Sequence, residues 1–325
     1  MVAPPTFDDV HAAARRIARH AHRTPVMTCR GIDRLADARV FFKCENLQKV
    51  GAFKFRGACN AVLSLDGEAA ARGVATHSSG NHAAALALAA SLRDIPAHVV
   101  MPEGVVDAKR RAVEGYGGRI TLCEPTLRSR ETTLADVLER TGANFIHPYD
   151  DPRVIAGQGT AALELLEEVP DLDVVMAPVG GGGLASGTAI TVAALAPQIR
   201  VVGVEPRAAD DARRSLAAGR ILPSGDPITV ADGLRTSLGK LTFEVIRQHV
   251  REIVTVEEAD IVEAMRLMWE RTKLLVEPSA AVPLAALLRG KVRAGRIGII
   301  ISGGNADLDS LPWLPAPPKP ARLRT

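Results

Sequence analysis

Eight short runs of β-branched and aliphatic residues recur along this chain: Val40–Lys43, Gly73–His77, Ala97–Met101, Arg119–Cys123, Val174–Ala177, Val201–Val204, Ile253–Val256 and Ile297–Ile301. Several are apolar throughout instead of alternating, the pattern of strands covered on both faces of a parallel sheet. Between them lie Ala- and Leu-rich stretches that predict helices. Examples are Asn81–Arg93, Val105–Tyr116, Leu127–Thr141, Gly157–Glu168, Leu184–Leu195 and Glu257–Lys273. Strand-helix alternation of this kind predicts an α/β architecture with parallel sheets. The 325 residues are enough for two lobes. Residues 73–147 hold a compact set of strand-helix units, and Pro148-Tyr149-Asp150-Asp151-Pro152 then breaks the pattern. The expected organisation is a small, mobile, substrate-binding domain over 73–147. It is inserted into a large cofactor-binding domain made of 1–72 and 148–325, with a site in the cleft.

Charge narrows the partners. Forty basic and 37 acidic side chains leave a net +3, which provides no electrostatic case for nucleic acid or an acidic membrane surface. The longest mildly apolar stretch, Ala83–Leu92, is too short to span a bilayer. Asp8 and Asp9 stand where a secretory signal would be apolar, so a cytoplasmic protein is expected. Cys29, Cys44, Cys59 and Cys123 form no CxxC pair and are expected to be reduced. The tail Pro312–Thr325, with five prolines, reads as an extended end.

Five segments carry chemistry. Gly180, Gly181, Gly182 and Gly183 follow the strand Val174–Ala177 and open a helix at Leu184. Successive glycine amides with a helix N-terminus behind them suit a phosphate; the plain alternative is a loose turn. The run lacks the Walker ending and the GxGxxG spacing of dinucleotide folds. Ser78-Ser79-Gly80-Asn81-His82 follows another strand and opens the next helix. Its hydroxyls and amides suit a carboxylate, though ordinary N-capping also explains them. Ser302-Gly303-Gly304-Asn305 ends the strand Ile297–Ile301, where ligands of open α/β sheets bind. Glu205 ends another strand and Asp210 and Asp211 follow it; two carboxylates and a backbone carbonyl there could hold a hard cation, or form a solvated acidic loop. Lys54 lies between small, apolar residues and a helical stretch from Phe55 to Leu65. Packing there would desolvate its ammonium, lower its pKa and leave an amine able to form a Schiff base.

Taken in this order, these motifs resemble the fold-type II pyridoxal-phosphate enzymes, a tryptophan synthase β-subunit-like fold. The nearest likeness is to serine racemase, serine/threonine dehydratase and threo-3-hydroxyaspartate ammonia-lyase. It runs from Thr24-Pro25-Val26 to Asp307 and includes Ile155-Ala156-Gly157-Gln158-Gly159-Thr160, Ala231-Asp232-Gly233 and Glu277-Pro278-Ser279-Ala280. The resemblance implies two lobes with twisted, mostly parallel sheets flanked by helices. It implies that Lys54 carries pyridoxal 5'-phosphate covalently and serves as the α-proton base. Phe53 and Gly233 would flank the ring, Asn81 would bond its hydroxyl, Ser302 would face its nitrogen, and Glu277 would lie on the cofactor side. Gly180–Gly183 would bind the phosphate. Ser78, Ser79, Asn81 and His82 would grip the substrate carboxylate, with Ser79 as the opposite-face acid of a racemase. Glu205, Ala209 and Asp211 match the family's Mg²⁺ (or Ca²⁺/Mn²⁺) position, and a homodimer is expected.

Three positions depart from the relatives. Ala83-Ala84-Ala85 stands where they usually carry a glutamine, Ala52 where many have serine, and Tyr149 where mammalian-type racemases have asparagine. The lost glutamine and the Cys29-Arg30 pair weaken any nucleotide site, and no C-terminal domain for isoleucine feedback is expected. The leading expectation is dehydration and deamination of L-threonine or L-serine to a 2-oxo acid and ammonia. Serine racemisation and threo-3-hydroxyaspartate elimination are the alternatives. Arg130 is a candidate partner for the extra carboxylate of 3-hydroxyaspartate, against the plainer reading of a surface arginine.

Overall fold

Ten strands form two sheets in the computed structural model, which describes residues 3–314. The strands are β1 (Val26–Thr28), β2 (Arg39–Cys44), β3 (Val74–His77), β4 (Ala97–Pro102), β5 (Arg119–Cys123), β6 (Asn144–Phe145), β7 (Val174–Pro178), β8 (Arg200–Pro206), β9 (Glu252–Val256) and β10 (Arg296–Ile301). The larger sheet has the order β1-β2-β10-β7-β8-β9, and the smaller β5-β4-β3-β6. Every pairing is parallel except β1 with β2. The smaller sheet draws only on residues 74–145, the segment expected to form an inserted lobe. Most of the Pro312–Thr325 tail lies outside the described residues. No helix among those described is long and apolar enough to cross a membrane, and all four cysteines are free.

The apolar runs are strands because both of their faces are covered. In β10, Ile297, Ile299 and Ile301 join one core cluster while Ile300 joins the other, on the opposite face. In β7, Val174 and Met176 alternate with Val175 and Ala177 in the same way. This two-residue period with apolar groups on both sides is what a parallel sheet between helix layers requires. β1 and β6 were not among the expected strands; at three and two residues, they are too short to show a period.

The helix expected at Gly157–Glu168 begins earlier, at Pro152. Proline at the first helical position sacrifices no hydrogen bond, and the Asp151 side chain accepts from the Arg153 amide at 2.8 Å. Glycines on this helix and on a neighbour let two others approach it closely. A Cβ on Gly157 would stand 2.6 Å from the Arg56 carbonyl and the Gly57 Cα. A Cβ on Gly187, in the helix Gly183–Leu195, would stand 2.5 Å from the Gly159 amide. The helix that begins at Lys54 and the helix behind the glycine run are thereby packed on one central helix.

A buried ionic group locks the Lys54 helix (Lys54–Leu63) in place. Arg56 bonds Glu45 at 2.7 and 2.8 Å and Glu164 at 2.7 and 2.8 Å. Lys43 bonds Glu164 at 2.6 Å. Two cations balance two carboxylates in a desolvated place, so removing one partner would leave an uncompensated charge.

Candidate active site

The chemistry-bearing residues emerge from the C-terminal ends of strands in both sheets, where open α/β sheets form their ligand sites. Lys54 starts its helix after two short turns beyond β2. The approach is backbone-strained: Val50, a β-branched residue, has φ +57°, and Gly51 follows at +68°. Asn305 holds this turn by donating from Nδ2 to the Val50 carbonyl at 2.7 Å. The Gly304 amide bonds Gly51 O at 2.9 Å, and the Phe53 amide bonds Ser302 O at 3.0 Å. The loop after β10 therefore fixes the segment that carries Lys54.

The Lys54 amine donates to the Pro148 carbonyl at 2.8 Å and lies 5.1 Å from the Phe53 ring centroid. Burial lowers its pKa from 10.5 to about 8, opposed by the charge of Glu277. This is the poised amine expected from the sequence. Glu277 is itself pushed up to about 7 by burial. Both of its oxygens accept from Asn81 Nδ2 at 3.1 Å, and Asn81 Oδ1 accepts from Asn305 at 2.9 Å. Asn81, expected to face a ring hydroxyl, is thus already oriented by Glu277 and Asn305. Gly233 donates its amide to Ser279 Oγ at 3.2 Å, and its carbonyl would lie 3.0 Å from a Cβ on Gly180.

The glycine run leaves β7 and turns at Gly182, with φ +87°, into the helix Gly183–Leu195. A side chain would be tight at Gly180 and Gly183 and would collide at Gly181 and Gly182. A Cβ on Gly181 would overlap the Tyr149 ring, and one on Gly182 would reach Leu238, Ile246 and Thr242 within 2.9 Å. Residues 180–185 are buried, yet their amides have no hydrogen-bond partner among the described residues. Buried N–H groups left this way require an acceptor from outside the chain. Ser302 Oγ is likewise buried and unpartnered.

In the smaller-sheet segment, the amides of Ser79, Asn81 and His82 at the start of the helix Asn81–Ser91 are also unpartnered among the described residues. Free amides at a helix start suit an anion. The His82 side chain is 2 % exposed, and its ring turns into the core with Nε2 3.4 Å from the Ile146 carbonyl. Burial holds its pKa well below 6.5, so it offers its amide and not an imidazolium. Arg130 is partly exposed, but its Nε is shut off from solvent with no partner among the described residues. The guanidinium lies near enough to His77, at the end of β3, to lower that ring's pKa alongside burial. Nothing in the sequence marks Arg130 apart from other helix-borne arginines; the burial of its Nε comes from packing.

Glu205 and Asp211 lie together at and just beyond the end of β8. Glu205 accepts the amides of Ala212 at 3.0 Å and Arg213 at 2.9 Å. Asp211 is 1 % exposed, and neither of its carboxylate oxygens makes a well-formed hydrogen bond. Burial raises Asp211 to about 7 and Glu205 to about 8. The neighbouring Asp210 faces outward to Arg213 and Arg214 instead.

A family model described as pyridoxal-phosphate dependent enzyme matches residues 17–303. The chain belongs to the pyridoxal-phosphate dependent enzymes. It is 54 % identical over 311 residues to a beta-hydroxyaspartate dehydratase of Paracoccus denitrificans, covering 95 % of this chain and 99 % of that protein. It is 50 % identical over 309 residues to a serine racemase of Arabidopsis thaliana, covering 93 % of each. The crystal structure of a T.th. threonine deaminase superposes with a TM-score of 0.90 at 47 % identity, covering 93 % of this chain and 99 % of that one. The residues of this pyridoxal-phosphate enzyme fit its cofactor on three counts. A buried glycine loop with free amides suits the phosphate, a buried hydroxyl at Ser302 lacks a partner, and Lys54 offers a desolvated amine between them.

Proposed function

We propose that this enzyme dehydrates a β-hydroxy α-amino acid to a 2-oxo acid and ammonia, and that 3-hydroxyaspartate is its substrate. Pyridoxal phosphate, when bound, supplies the electron sink that makes the α-proton acidic. The chain supplies the rest. The amides of Gly180–Gly183 hold the phosphate, and the neutral Ser302 hydroxyl keeps the sink mild. The amides of Ser79, Asn81 and His82 hold the substrate α-carboxylate. Lys54, whose amine is free above about pH 8, takes the α-proton. The β-hydroxyl takes up a proton and leaves as water. The resulting enamine hydrolyses to the 2-oxo acid and ammonia. A divalent cation, Mg²⁺, Ca²⁺ or Mn²⁺, held by Glu205, the Ala209 carbonyl and Asp211 fits the bare Asp211 carboxylate.

Arg130 carries the substrate assignment. A guanidinium N–H shut off from solvent without an acceptor is unfavourable, and the second carboxylate of 3-hydroxyaspartate would satisfy it near His77, the residue that precedes the Ser78-Ser79 pair. The similarity to a beta-hydroxyaspartate dehydratase supports the same reading. A hydrogen bond to a charged partner is worth about 1.5–3 kcal/mol, so Arg130→Met should lower kcat/KM for 3-hydroxyaspartate by about 10- to 150-fold. Turnover of L-serine should change little. Equal losses on both substrates would contradict the assignment.

One observation favours a second reading, serine racemisation. The Ser79 hydroxyl makes no hydrogen bond among the described residues and stands on the substrate loop, free to act as a proton donor. Chiral analysis of L-serine incubations decides between them: 2-oxo acid without D-serine excludes the racemase.

A further inference from the structure

The chain returns from β6 to the larger sheet through His147-Pro148-Tyr149-Asp150, and this turn touches both Lys54 and the glycine loop. Its shape is set by His147, whose Nδ1 accepts the amides of Tyr149 at 3.3 Å and Asp150 at 2.9 Å. The Pro148 carbonyl takes the Lys54 amine, and the Tyr149 ring covers Gly181. Asp150 reaches a third element, the helix Lys240–His249. Its carboxylate accepts the three first-turn amides, from Lys240 at 3.0 Å, Leu241 at 2.9 Å and Thr242 at 3.2 Å. These are N–H groups with no partner inside their own helix. The approach is so close that a Cβ on Gly239 would collide with the Asp150 carboxyl.

That helix start grips the glycine loop. Thr242 is fully buried, and its hydroxyl donates to the Gly181 carbonyl at 2.8 Å while accepting the Gly239 amide at 2.9 Å. The Gly181 carbonyl and the Gly182 N–H belong to one trans peptide unit and point in opposite directions. Drawing the carbonyl toward Thr242 turns the Gly182 N–H the other way, and this N–H has no partner among the described residues.

We propose that Asp150 and Thr242 are positioning residues for the phosphate-binding loop. Asp150 anchors the first turn of the Lys240–His249 helix. Thr242, in that turn, holds the Gly181–Gly182 peptide with its N–H toward the cofactor phosphate. This rests on the assignment of the Gly180–Gly183 amides to that phosphate.

The test compares apoenzyme affinities for pyridoxal phosphate and for pyridoxal, which lacks the phosphate. Asp150→Ala and Thr242→Val should each lower the phosphate-to-pyridoxal affinity ratio by about tenfold. The conservative Asp150→Asn and Thr242→Ser, which keep the acceptor and the hydroxyl, should stay within about threefold of wild type. The ³¹P resonance of bound cofactor should move in the first pair and not in the second. If Asp150→Ala does not fold, the Thr242 pair decides alone. An unchanged ratio in folded Thr242→Val overturns the proposal. A wild-type ratio near one overturns the phosphate assignment beneath it.

Discussion

Gly181→Ala tests whether the phosphate loop is held by its neighbours or is merely glycine-rich. The added Cβ would stand 2.5 Å from Tyr149 Cδ2 and closer still to Cγ and Cδ1. Carbon atoms normally meet at about 3.5–4.0 Å, so the overlap is about 1 Å or more against three ring atoms. The ring has little room to yield. Its backbone packs under Gly183, its amide is bonded to His147, and the His147 ring meets it edge-on with centroids 4.5 Å apart. Overpacking of this kind costs about 1–3 kcal/mol. Taken up by a shift of the loop, that is about 5- to 150-fold in cofactor affinity. The assay is equilibrium titration of apoenzyme with pyridoxal phosphate, followed by visible absorbance, with urea unfolding as a check on the fold. Tyr149→Ala removes the obstructing ring, so Tyr149→Ala/Gly181→Ala should bind nearly as well as Tyr149→Ala alone, a coupling that a double-mutant cycle reads directly. Wild-type affinity in Gly181→Ala, or a double variant no better than Gly181→Ala, would refute the reasoning.

Lys54 and Asp211 provide further checks. The rate at which apoenzyme takes up pyridoxal phosphate should rise with pH and level off above about 8, where Lys54 loses its proton; a rise continuing toward 10.5 would mean the amine is not desolvated. Lys54→Ala should lose the visible band and activity together. The unfolded chain holds the Lys54 proton up to 10.5 and the folded apoenzyme only to about 8, so this residue makes stability rise with pH between those values. Lys54→Met should flatten that rise. Millimolar Mg²⁺ should raise the melting temperature of wild type and not of Asp211→Asn, with about 2.7 kcal/mol expected at a hundredfold excess over Kd; an equal response in both would place the cation elsewhere.

The two sheets were legible because their buried strands are apolar on both faces. The strand-to-helix turns at Ser78–His82 and Gly180–Gly183 were legible because serine turns and glycine runs at strand ends carry a local meaning. What escaped depends on contacts between distant parts of the chain. Tyr149 reads as a substitution in a family motif, yet its ring covers Gly181. Arg130 reads as one charged residue on a helix, and burial of its Nε is a property of packing. Lys109 bonds Asp232 at 2.6 Å between the smaller-sheet segment and the Ala231-Asp232-Gly233 turn, and neither residue announces the other. Lys43 did carry a signal. A lysine closing the apolar run Val40–Lys43, fully buried in β2, calls for a carboxylate, and Glu164 is that partner.

Initial rates on a single holoenzyme preparation, with 3-hydroxyaspartate, L-serine and L-threonine offered separately and 2-oxo acid and ammonia measured together, test the central claim most directly. The account predicts a kcat/KM for 3-hydroxyaspartate at least about tenfold above either monocarboxylate, in line with the charged contact assigned to Arg130. Serine or threonine consumed as efficiently as 3-hydroxyaspartate would contradict it.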